Sequence, residues 1–439
     1  MKKALHLLHC PTDIAPLAIF RFLFGFMMLI SLIRFYLKGW ITELYIKPQF
    51  FFKYYGFEWV QTPNPTQTYL LFLFTGLFAF FLMIGFWYRI ASIGFFLGFT
   101  YIELLDKSNY LNHYYFISIV SFLLIFLPAH RDFSLDAYFF PKIRNKQVPF
   151  WTIGAIRLQL GMVYFFAGLA KVQADWLFEA MPLRLWLPPH SDFPIIGHFL
   201  TYTITAYLFS WAGAIYDLTI PFLLCNKVLR NWAYLAVVVF HVLTYFLFQI
   251  GMFPFIMIVS TSIFFSANFH RKLIDFFWKQ KNEQIAFNST SQNRLIFYLL
   301  VLHFFIQSLL PFRYLFYKDK LFWTEQGFRF SWRVMLMEKA GTVFFYVTDS
   351  LSGKSIEVSP SEYINKNQEK MMSTQPDMIL EFAHFLKDEY QKKGFHSPQI
   401  KVLSYVSLNG QGSRPFINPD IYLGKIEDSF EEKNWILPF

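Results

Sequence analysis

Seven ionisable side chains lie inside long apolar stretches of this sequence, where charged groups are rare. Such a group costs about 2.5–3.5 kcal/mol at the centre of a membrane helix, so it is expected to face a cavity or a partner. Proton transfer and ion pairing are the chemistry that these residue types offer. They are Arg21, Arg34, Arg157, Lys171, Asp217, His241 and His303, and His113 lies at the mouth of a further stretch.

Lys171 is the strongest candidate for chemistry. It follows the small residue Gly168 by one helical turn within the segment Val163–Trp176, and small residues allow a ligand or another helix to approach closely. Removal from water favours the neutral amine, which is a base near neutral pH. In the alternative interpretation, Lys171 and Arg34 lie near helix ends and extend to the membrane surface.

The other charged groups have structural interpretations. Arg21, Arg157 and Asp217 are interpreted as ion pairs inside the bundle or as polar groups of a pocket. A metal site built from histidines needs a short ligand spacing or convergence in space, and the sequence offers no short spacing. We therefore predict no metal site. A metalloenzyme that uses His113, His241 and His303 remains the alternative.

Composition indicates which elements must position these residues. The chain of 439 residues is 55% hydrophobic and 22% aromatic but only 15% charged, with 59 phenylalanines. Soluble domains have about 25% charged residues, so composition excludes an ordinary soluble enzyme and a disordered chain and favours a polytopic membrane protein. In a membrane protein, the net charge of +10 is expected to lie in cytoplasmic loops rather than on a surface that binds nucleic acid. The two cysteines, Cys10 and Cys225, are too few for a disulfide framework.

Hydropathy predicts a polytopic α-helical membrane bundle of about nine spans. Each span must be helical because lipid offers no partner to an open backbone. The predicted spans are 14–37, 68–87, 90–105, 113–128, 151–171, 202–225, 231–249, 251–266 and 294–311.

Loop charge predicts the orientation. With the N-terminus in the cytoplasm, thirteen lysines and arginines fall inside and five fall in the short outer loops, as the positive-inside rule requires. Nine spans then place residues 312–439 outside. We expect a membrane domain over 1–311 that carries the active site, and an extracytoplasmic domain over 312–439 that contributes to substrate binding.

The tail predicts a mixed α+β domain outside the membrane. Strands are expected at 342–348 and 354–358, around the turn Asp349–Gly353. A helix is expected at 378–393, ending before Gly394. A third strand is expected at 399–408, ending at a turn of asparagine and glycine.

Three blocks of sequence resemble the vitamin K-dependent gamma-glutamyl carboxylase family. The first runs from Tyr164 to Trp176 and ends in Ala-Gly-x-x-Lys-x-x-Ala-Asp-Trp, the second is Asn112–Tyr115, and the third is Phe240-His241 followed by Ile250–Phe255. Weaker matches surround Arg21, Trp332 and Asn409. The blocks follow the family's order and cover nearly the whole chain.

The resemblance implies an enzyme that couples two reactions. Reduced vitamin K, of the phylloquinol or menaquinol type, reacts with O2 and becomes the epoxide. The oxygenated species is a base strong enough to remove a γ-proton from protein-bound glutamate, and the carbanion captures CO2. The expected partners are membrane lipid, the quinol and a glutamate-containing protein or peptide.

The resemblance also implies roles for individual residues. Lys171 matches the base that deprotonates the quinol, and His113 matches the histidine of the carboxylation half, with Asn112 orienting that site. The remaining matches are substrate-binding positions: Tyr164, His241, Trp332 and Met335.

Departures from the family point to a bacterial-type member in an inner membrane. Animal enzymes carry a second lysine where this chain has Ala170, and residues 226–439 contain no cysteine for a lumenal disulfide. The tail is shorter than the propeptide-binding region of those enzymes. Two alternatives remain open, namely a quinol epoxidase without carboxylation and a non-enzymatic protein that binds or carries quinone or lipid.

Overall fold

The computed structural model describes residues 8–248, 250–278 and 294–439. Ten helices of nine or more residues form a bundle in the described residues before position 310. Their bounds are α1 Ala15–Leu37, α2 Pro65–Ile84, α3 Tyr88–Leu104, α4 Asn112–Phe126, α5 Phe150–Ala170, α6 Thr203–Cys225, α7 Arg230–Phe248, α8 Phe253–Thr261, α9 Ala267–Phe277 and α10 Arg294–Leu309.

Shorter helical segments connect these helices. One-turn and two-turn α-helices are Trp40–Tyr45, Leu135–Phe139, Ala174–Leu177, Leu183–Trp186, Gly197–Leu200 and Leu321–Thr324. The 3₁₀ segments are Lys107–Asn109, Pro141–Ile143, Pro188–His190, Ser262–Phe264, Leu310–Phe316, Pro360–Glu362 and Leu423–Lys425.

Nine membrane spans are not confirmed, although every predicted segment contains a helix within the described residues. Six helices are long and apolar enough to cross a membrane, or seven if one bent pair is counted as a span. Helices α3 and α4 have 17 and 15 residues, about 25 and 22 Å long, against a hydrocarbon core of about 30 Å. The predicted span 251–266 is a short helix, and the chain bends by 110° before α9. Residue 249 of span 231–249 lies outside the described residues.

The C-terminal region agrees closely with the prediction. Strands β3 (Lys339–Thr348), β4 (Ser355–Val358), β5 (Gln399–Leu408) and β6 (Arg414–Pro415) form an antiparallel sheet in the order β4-β3-β5-β6. Two helices accompany it, α11 (Lys366–Met372) and α12 (Pro376–Lys392). The apolar face of α12 packs on β3 and β5, and the core of this region is continuous with bundle-side residues such as Phe52 and Trp176.

Loops predicted to lie on the same side of the membrane contact one another. Three of the predicted outer loops reach the C-terminal sheet and helices, through Gln49 on Tyr363, Lys107 on Asp377 and Asp175 on Asn409. We call this end of the bundle the domain end.

The loops predicted to lie inside meet at the opposite end. There strand β1 (Pro11–Asp13) pairs with β2 (Gln147–Pro149), and Arg271 forms ion pairs with Asp13 and Asp132. Which end faces the cytoplasm stays a prediction, as does the boundary between residues 311 and 312.

The domain end contains a buried carboxyl that makes stability depend on pH. Asp106 is fully buried and accepts hydrogen bonds from Ser108 N (2.9 Å) and Gln368 Nε2 (2.7 Å). Burial raises its pKa to about 6, although these hydrogen bonds and that of the Ser108 side chain lower it in part. The folded state therefore holds this proton more tightly than the unfolded chain does, and stability increases as the pH falls through 6.

Lowering the pH from 7.5 to 5.5 is therefore expected to raise the contribution of Asp106 to the free energy of unfolding by about 1 kcal/mol. Thermal melting of the wild type and of Asp106→Ala at several pH values in this range gives the dependence of stability on pH for each protein. The difference between these two dependences is the contribution of Asp106. Equal slopes for the two proteins would contradict the assignment.

Candidate functional site

Helices α5 and α6 approach each other closely enough for their backbones to touch. A Cβ placed on Gly168 of α5 would lie 2.7 Å from Leu218 N and 3.0 Å from Asp217 C in α6. A Cβ on Gly213 would lie 4.0 Å from Lys171 Cε. These two glycines therefore set the distance between Lys171, which caps the C-terminus of α5, and the carboxylate of α6.

Lys171 and Asp217 form an ion pair inside the bundle. The distance from Lys171 Nζ to Asp217 Oδ2 is 2.7 Å, and Nζ lies 3.4 Å from Ala167 O and 5.3 Å from the centre of the Trp176 ring. The two residues are 6% and 5% exposed. The amine therefore does not extend to the membrane surface, and the alternative interpretation of Lys171 as an end-of-helix residue that reaches solvent is wrong.

The ion pair lines an apolar cavity of about 390 Å³. This volume falls in the range of small-molecule sites. Helices α5, α6, α7 and α8 supply its walls, and Val334 and Met335 close it from the domain end. Aromatic residues contribute much of the lining: Tyr164, Trp176, Trp186, Phe209, Tyr216, Phe240, Phe248 and Phe253. The cavity therefore suits a flat, apolar ring.

A second polar group faces the same cavity. The hydroxyl of Tyr164 lies 3.1 Å from His241 Nε2 and 3.3 Å from Thr261 Oγ1. The other ring nitrogen, Nδ1 of His241, is buried and has no hydrogen-bond partner among the described residues. Buried polar atoms are normally paired, so this nitrogen is available to an oxygen of a bound ligand.

Two of the predicted residues lie beside the cavity rather than in its lining. The rings of His113 and His241 each lie 5.7 Å from the ring of Phe253, and Phe253 lines the cavity whereas His113 does not. Asn112 donates to Arg333 O at 3.0 Å and thereby fixes the start of α4 to the domain end. Lys171 and His241 therefore line the same cavity, whereas His113 does not.

The two predicted residues after the last helix differ in their environment. Met335 lines the cavity. Trp332 is 1% exposed, and its ring packs against Tyr115 with the ring centres 5.0 Å apart. It does not line the cavity and instead supports the segment that carries Met335.

Arg21 and Arg157 cap helix ends. Arg21 donates to the carbonyls of Leu82 and Met83 at the end of α2, at 2.9 Å each. Arg157 donates to Ile263 O at 2.8 and 3.0 Å, beyond the end of α8. Neither side chain forms an ion pair with a carboxylate in the described residues, so their interpretation as ion pairs is wrong. Neither lines the cavity that contains Lys171, but Arg157 lines another cavity of the bundle.

The histidines do not converge. The described residues contain no group of three or more histidine, cysteine, aspartate or glutamate side chains arranged to hold a metal ion. His303 pairs with Gln159 at 3.2 Å, and Gln159 does not line the cavity. The metalloenzyme alternative therefore gains no support from the described geometry.

Sequence reasoning missed the pairing of Lys171 with Asp217. Each residue was identified on its own, but they are 46 positions apart. The signal that links them is the pair of glycines, Gly168 and Gly213, each three or four residues before its charged residue. Tyr216 and Thr261, which contact the site, carried no comparable signal.

Replacing Gly168 with Ala is expected to separate α5 from α6 and to weaken the ion pair. The added methyl group would contact backbone atoms of Leu218 and Asp217, which cannot move aside as a flexible side chain would. We expect stability to fall by about 1 kcal/mol.

Gly161→Ala is the matched control on the same helix. A methyl group there meets Pro221 Cβ at 3.6 Å, an ordinary contact. Thermal melting of both variants is the measurement. Equal behaviour of the two would show that helix contact at Gly168 does not position the pair.

Comparison with known protein families gives two matches that together span most of the chain. Residues 9–269, more than half of the sequence, match the HTTM domain. Residues 292–439 match the lumenal domain of vitamin K-dependent gamma-carboxylase. No solved structure matches the chain. The buried lysine pair, its apolar cavity and the C-terminal α+β region all lie within these matches, and the chain belongs to the vitamin K-dependent gamma-carboxylase family.

Proposed function

We propose that this protein is a membrane-embedded carboxylase and epoxidase that uses vitamin K hydroquinone. The observation that carries the proposal is the amine of Lys171, held with Asp217 in an apolar cavity of about 390 Å³. A glutamate γ-C–H is far too weak an acid for any side chain to deprotonate near neutral pH. The reduced quinone supplies, with O2, the stronger base that this step requires.

Lys171 acts as the base toward the hydroquinone. Asp217 Oδ2 holds Nζ at 2.7 Å and is the acceptor for its extra proton. The neutral amine then accepts the proton of a hydroquinone hydroxyl. Tyr164 and His241 orient the ring from the other wall, because His241 Nδ1 is free to bond an oxygen of the ligand.

The cavity walls keep water from the reacting atoms. Water would quench a strong base as soon as it formed, so exclusion of solvent is a requirement of this chemistry. The lining is almost entirely apolar, and Val334 and Met335 bring the C-terminal region to its edge. The client glutamate therefore approaches from the domain end.

His113 and Asn112 serve the carboxylation half from beside the cavity. The rings of His113 and His241 both pack against the ring of Phe253, with 5.7 Å between ring centres in each case. The role proposed for His113 is to stabilise the carbanion or the new carboxylate, with Asn112 holding the C-terminal segment through Arg333 O. Met335, on a segment supported by Trp332, forms the side from which the glutamate enters.

The proposed location is a bacterial inner membrane, with the N-terminus in the cytoplasm and the C-terminal domain in the periplasm. The charge bias of the loops supports this orientation. The separation of the loops into two ends also supports it, because the outer loops contact the C-terminal domain.

The test supplies the purified protein with reduced vitamin K, O2, a peptide containing one glutamate, and labelled CO2. We expect both the epoxide and a labelled peptide, and no label on the glutamine counterpart of the peptide. Epoxide without label would reduce the function to quinol epoxidation. If the folded protein gave neither product, both the carboxylase and the epoxidase forms of the proposal would be contradicted. A quinone- or lipid-binding protein would then remain.

A further inference from the structure

Helix α5 borders another cavity besides the one that contains Lys171. This cavity measures about 810 Å³ and is bounded mainly by α5, α6 and α10. Met162 and Phe166 of α5 line it, whereas the neighbouring residues Val163 and Ala167 line the cavity of Lys171. Helix α5 is therefore a wall that the two cavities share.

The cavity is a groove that opens toward the lipid. Leu158, Phe222 and Val301 line it, and each of these side chains is at least half exposed. Along α5 the groove extends from Phe150 to Phe166, about 24 Å at the rise of an α-helix. One leaflet of a hydrocarbon core about 30 Å thick is shorter than this. The groove is therefore long enough to hold an acyl chain.

Two arginines line the groove toward the end opposite the domain end. Arg157 lies two turns into α5, which begins directly after strand β2, and Arg230 begins α7. No aspartate or glutamate lines the groove in the part of the chain that the structure describes, and no carboxylate there forms an ion pair with either arginine. Their positive charges repel each other. Because charges removed from water are normally paired, this end of the groove is suited to an anion.

The backbone holds both guanidinium groups and leaves some of their donors unused. Arg157 donates through Nε and Nη2 to Ile263 O, at 3.0 and 2.8 Å. Arg230 donates through Nε to Leu224 O at 3.0 Å. Nη1 of Arg157 and both terminal nitrogens of Arg230 have no hydrogen-bond acceptor among the described residues. A guanidinium has five N–H donors, so both side chains can still bind phosphate oxygens.

We propose that this groove binds an anionic phospholipid, whose phosphate is bound by Arg157 and Arg230 and whose acyl chain lies along α5. A quinone carries no charge to offset the two arginines, and a zwitterionic lipid brings a cation together with its phosphate. The apolar lining around Met162 and Phe304 accepts the chain. Since α5 also forms a wall of the cavity of Lys171, the bound lipid stabilises that wall. The proposal does not depend on the proposed function.

Thermal melting of the full chain in a neutral detergent tests the proposal, because a ligand that binds the folded state raises the melting temperature. The ligands are phosphatidylglycerol, phosphatidylcholine with the same acyl chains, inorganic phosphate and menaquinone. We expect the wild type to have at least tenfold higher apparent affinity for phosphatidylglycerol than for phosphatidylcholine. Equal affinities for the two lipids, or a shift with inorganic phosphate as large as that with phosphatidylglycerol, would overturn the proposal.

Three variants locate the binding. Arg230→Gln removes one charge and is expected to weaken phosphatidylglycerol binding at least tenfold. Gly154→Leu fills the groove, where the added Cβ would meet Phe150 Cε1 at 3.8 Å, an ordinary contact, and it is expected to weaken binding several-fold. Lys227→Gln removes an exposed charge between α6 and α7, outside the groove, and is expected to leave binding unchanged.

Each temperature shift is compared with the melting temperature of the same variant without ligand, so that a loss of stability does not mimic a loss of binding. Unchanged phosphatidylglycerol binding in both Arg230→Gln and Gly154→Leu would overturn the proposal, as would an equal loss in Lys227→Gln. A menaquinone shift that Gly154→Leu abolished would assign the groove to the quinone and overturn the proposal as well.

Discussion

Replacing Lys171 with Met is expected to lower the rate of quinol epoxidation by at least about a thousandfold, since a positioned base contributes about 10²–10⁴-fold. Methionine fills a similar volume and leaves the apolar walls of the cavity in place. The amine of Lys171 is buried, and Asp217 is its carboxylate partner at 2.7 Å. Epoxide formed per minute by purified wild type and variant is the measurement.

The variant needs a control for folding, because it leaves Asp217 buried without its partner. Removing one member of a buried ion pair commonly destabilises a protein strongly. The double variant Lys171→Met with Asp217→Asn removes that unpaired charge, so we expect it to recover thermal stability but no epoxidation. Wild-type turnover by the double variant would show that Lys171 is structural.

The second large effect is on stability and concerns the contact between the bundle and the C-terminal domain. Asp377 on α12 binds Arg329 Nη1 at 2.7 Å and Lys107 Nζ at 3.0 Å. Burial alone would raise the pKa of Asp377, but Arg329 and Lys107 lower it well below its usual value. We expect Asp377→Asn to reduce the free energy of unfolding by about 2 kcal/mol, less than for a fully buried pair, because the Asp377 side chain is 21% exposed.

Asp388→Asn provides the matched control on the same helix. Asp388 is exposed, and surface substitutions of this kind change stability by about 0.5 kcal/mol or less. Chemical denaturation of the C-terminal domain within the full chain compares the two variants. If Asp377→Asn proved as stable as Asp388→Asn, the cluster would not stabilise the domain contact.

The C-terminal domain was predictable because its signals are local. Alternating apolar residues and a turn that ends at Gly353 identify β3 and β4, and Pro376 and Gly394 bracket the long helix. Each of these signals acts over fewer than about ten residues. The strand β5 was likewise predicted with its observed bounds, Gln399–Leu408.

The membrane helices were predictable in position but not in length or path. Hydropathy identifies an apolar segment, yet it does not distinguish a helix that spans the bilayer from one packed within the bundle. The helix α8 ends at Thr261, a 3₁₀ segment follows to Phe264, and the chain then bends by 110°. Ser266 caps the new helix α9 by accepting a hydrogen bond from Phe269 N.

The site was predictable only one residue at a time. Lys171 stands out because a lysine in an apolar helix is costly, and His241 stands out for the same reason. Their common cavity and the partner of the lysine depend on how α5, α6 and α7 pack, which no spacing along the chain specifies.

The most direct measurement of the central claim is an electron cryo-microscopy structure of the protein with vitamin K bound. We expect the quinone ring to lie in the cavity between α5, α6 and α7, with a ring oxygen within hydrogen-bond distance of Lys171 Nζ and the ring facing His241. Ring density elsewhere, with Lys171 still bound only to Asp217 and Ala167, would contradict it.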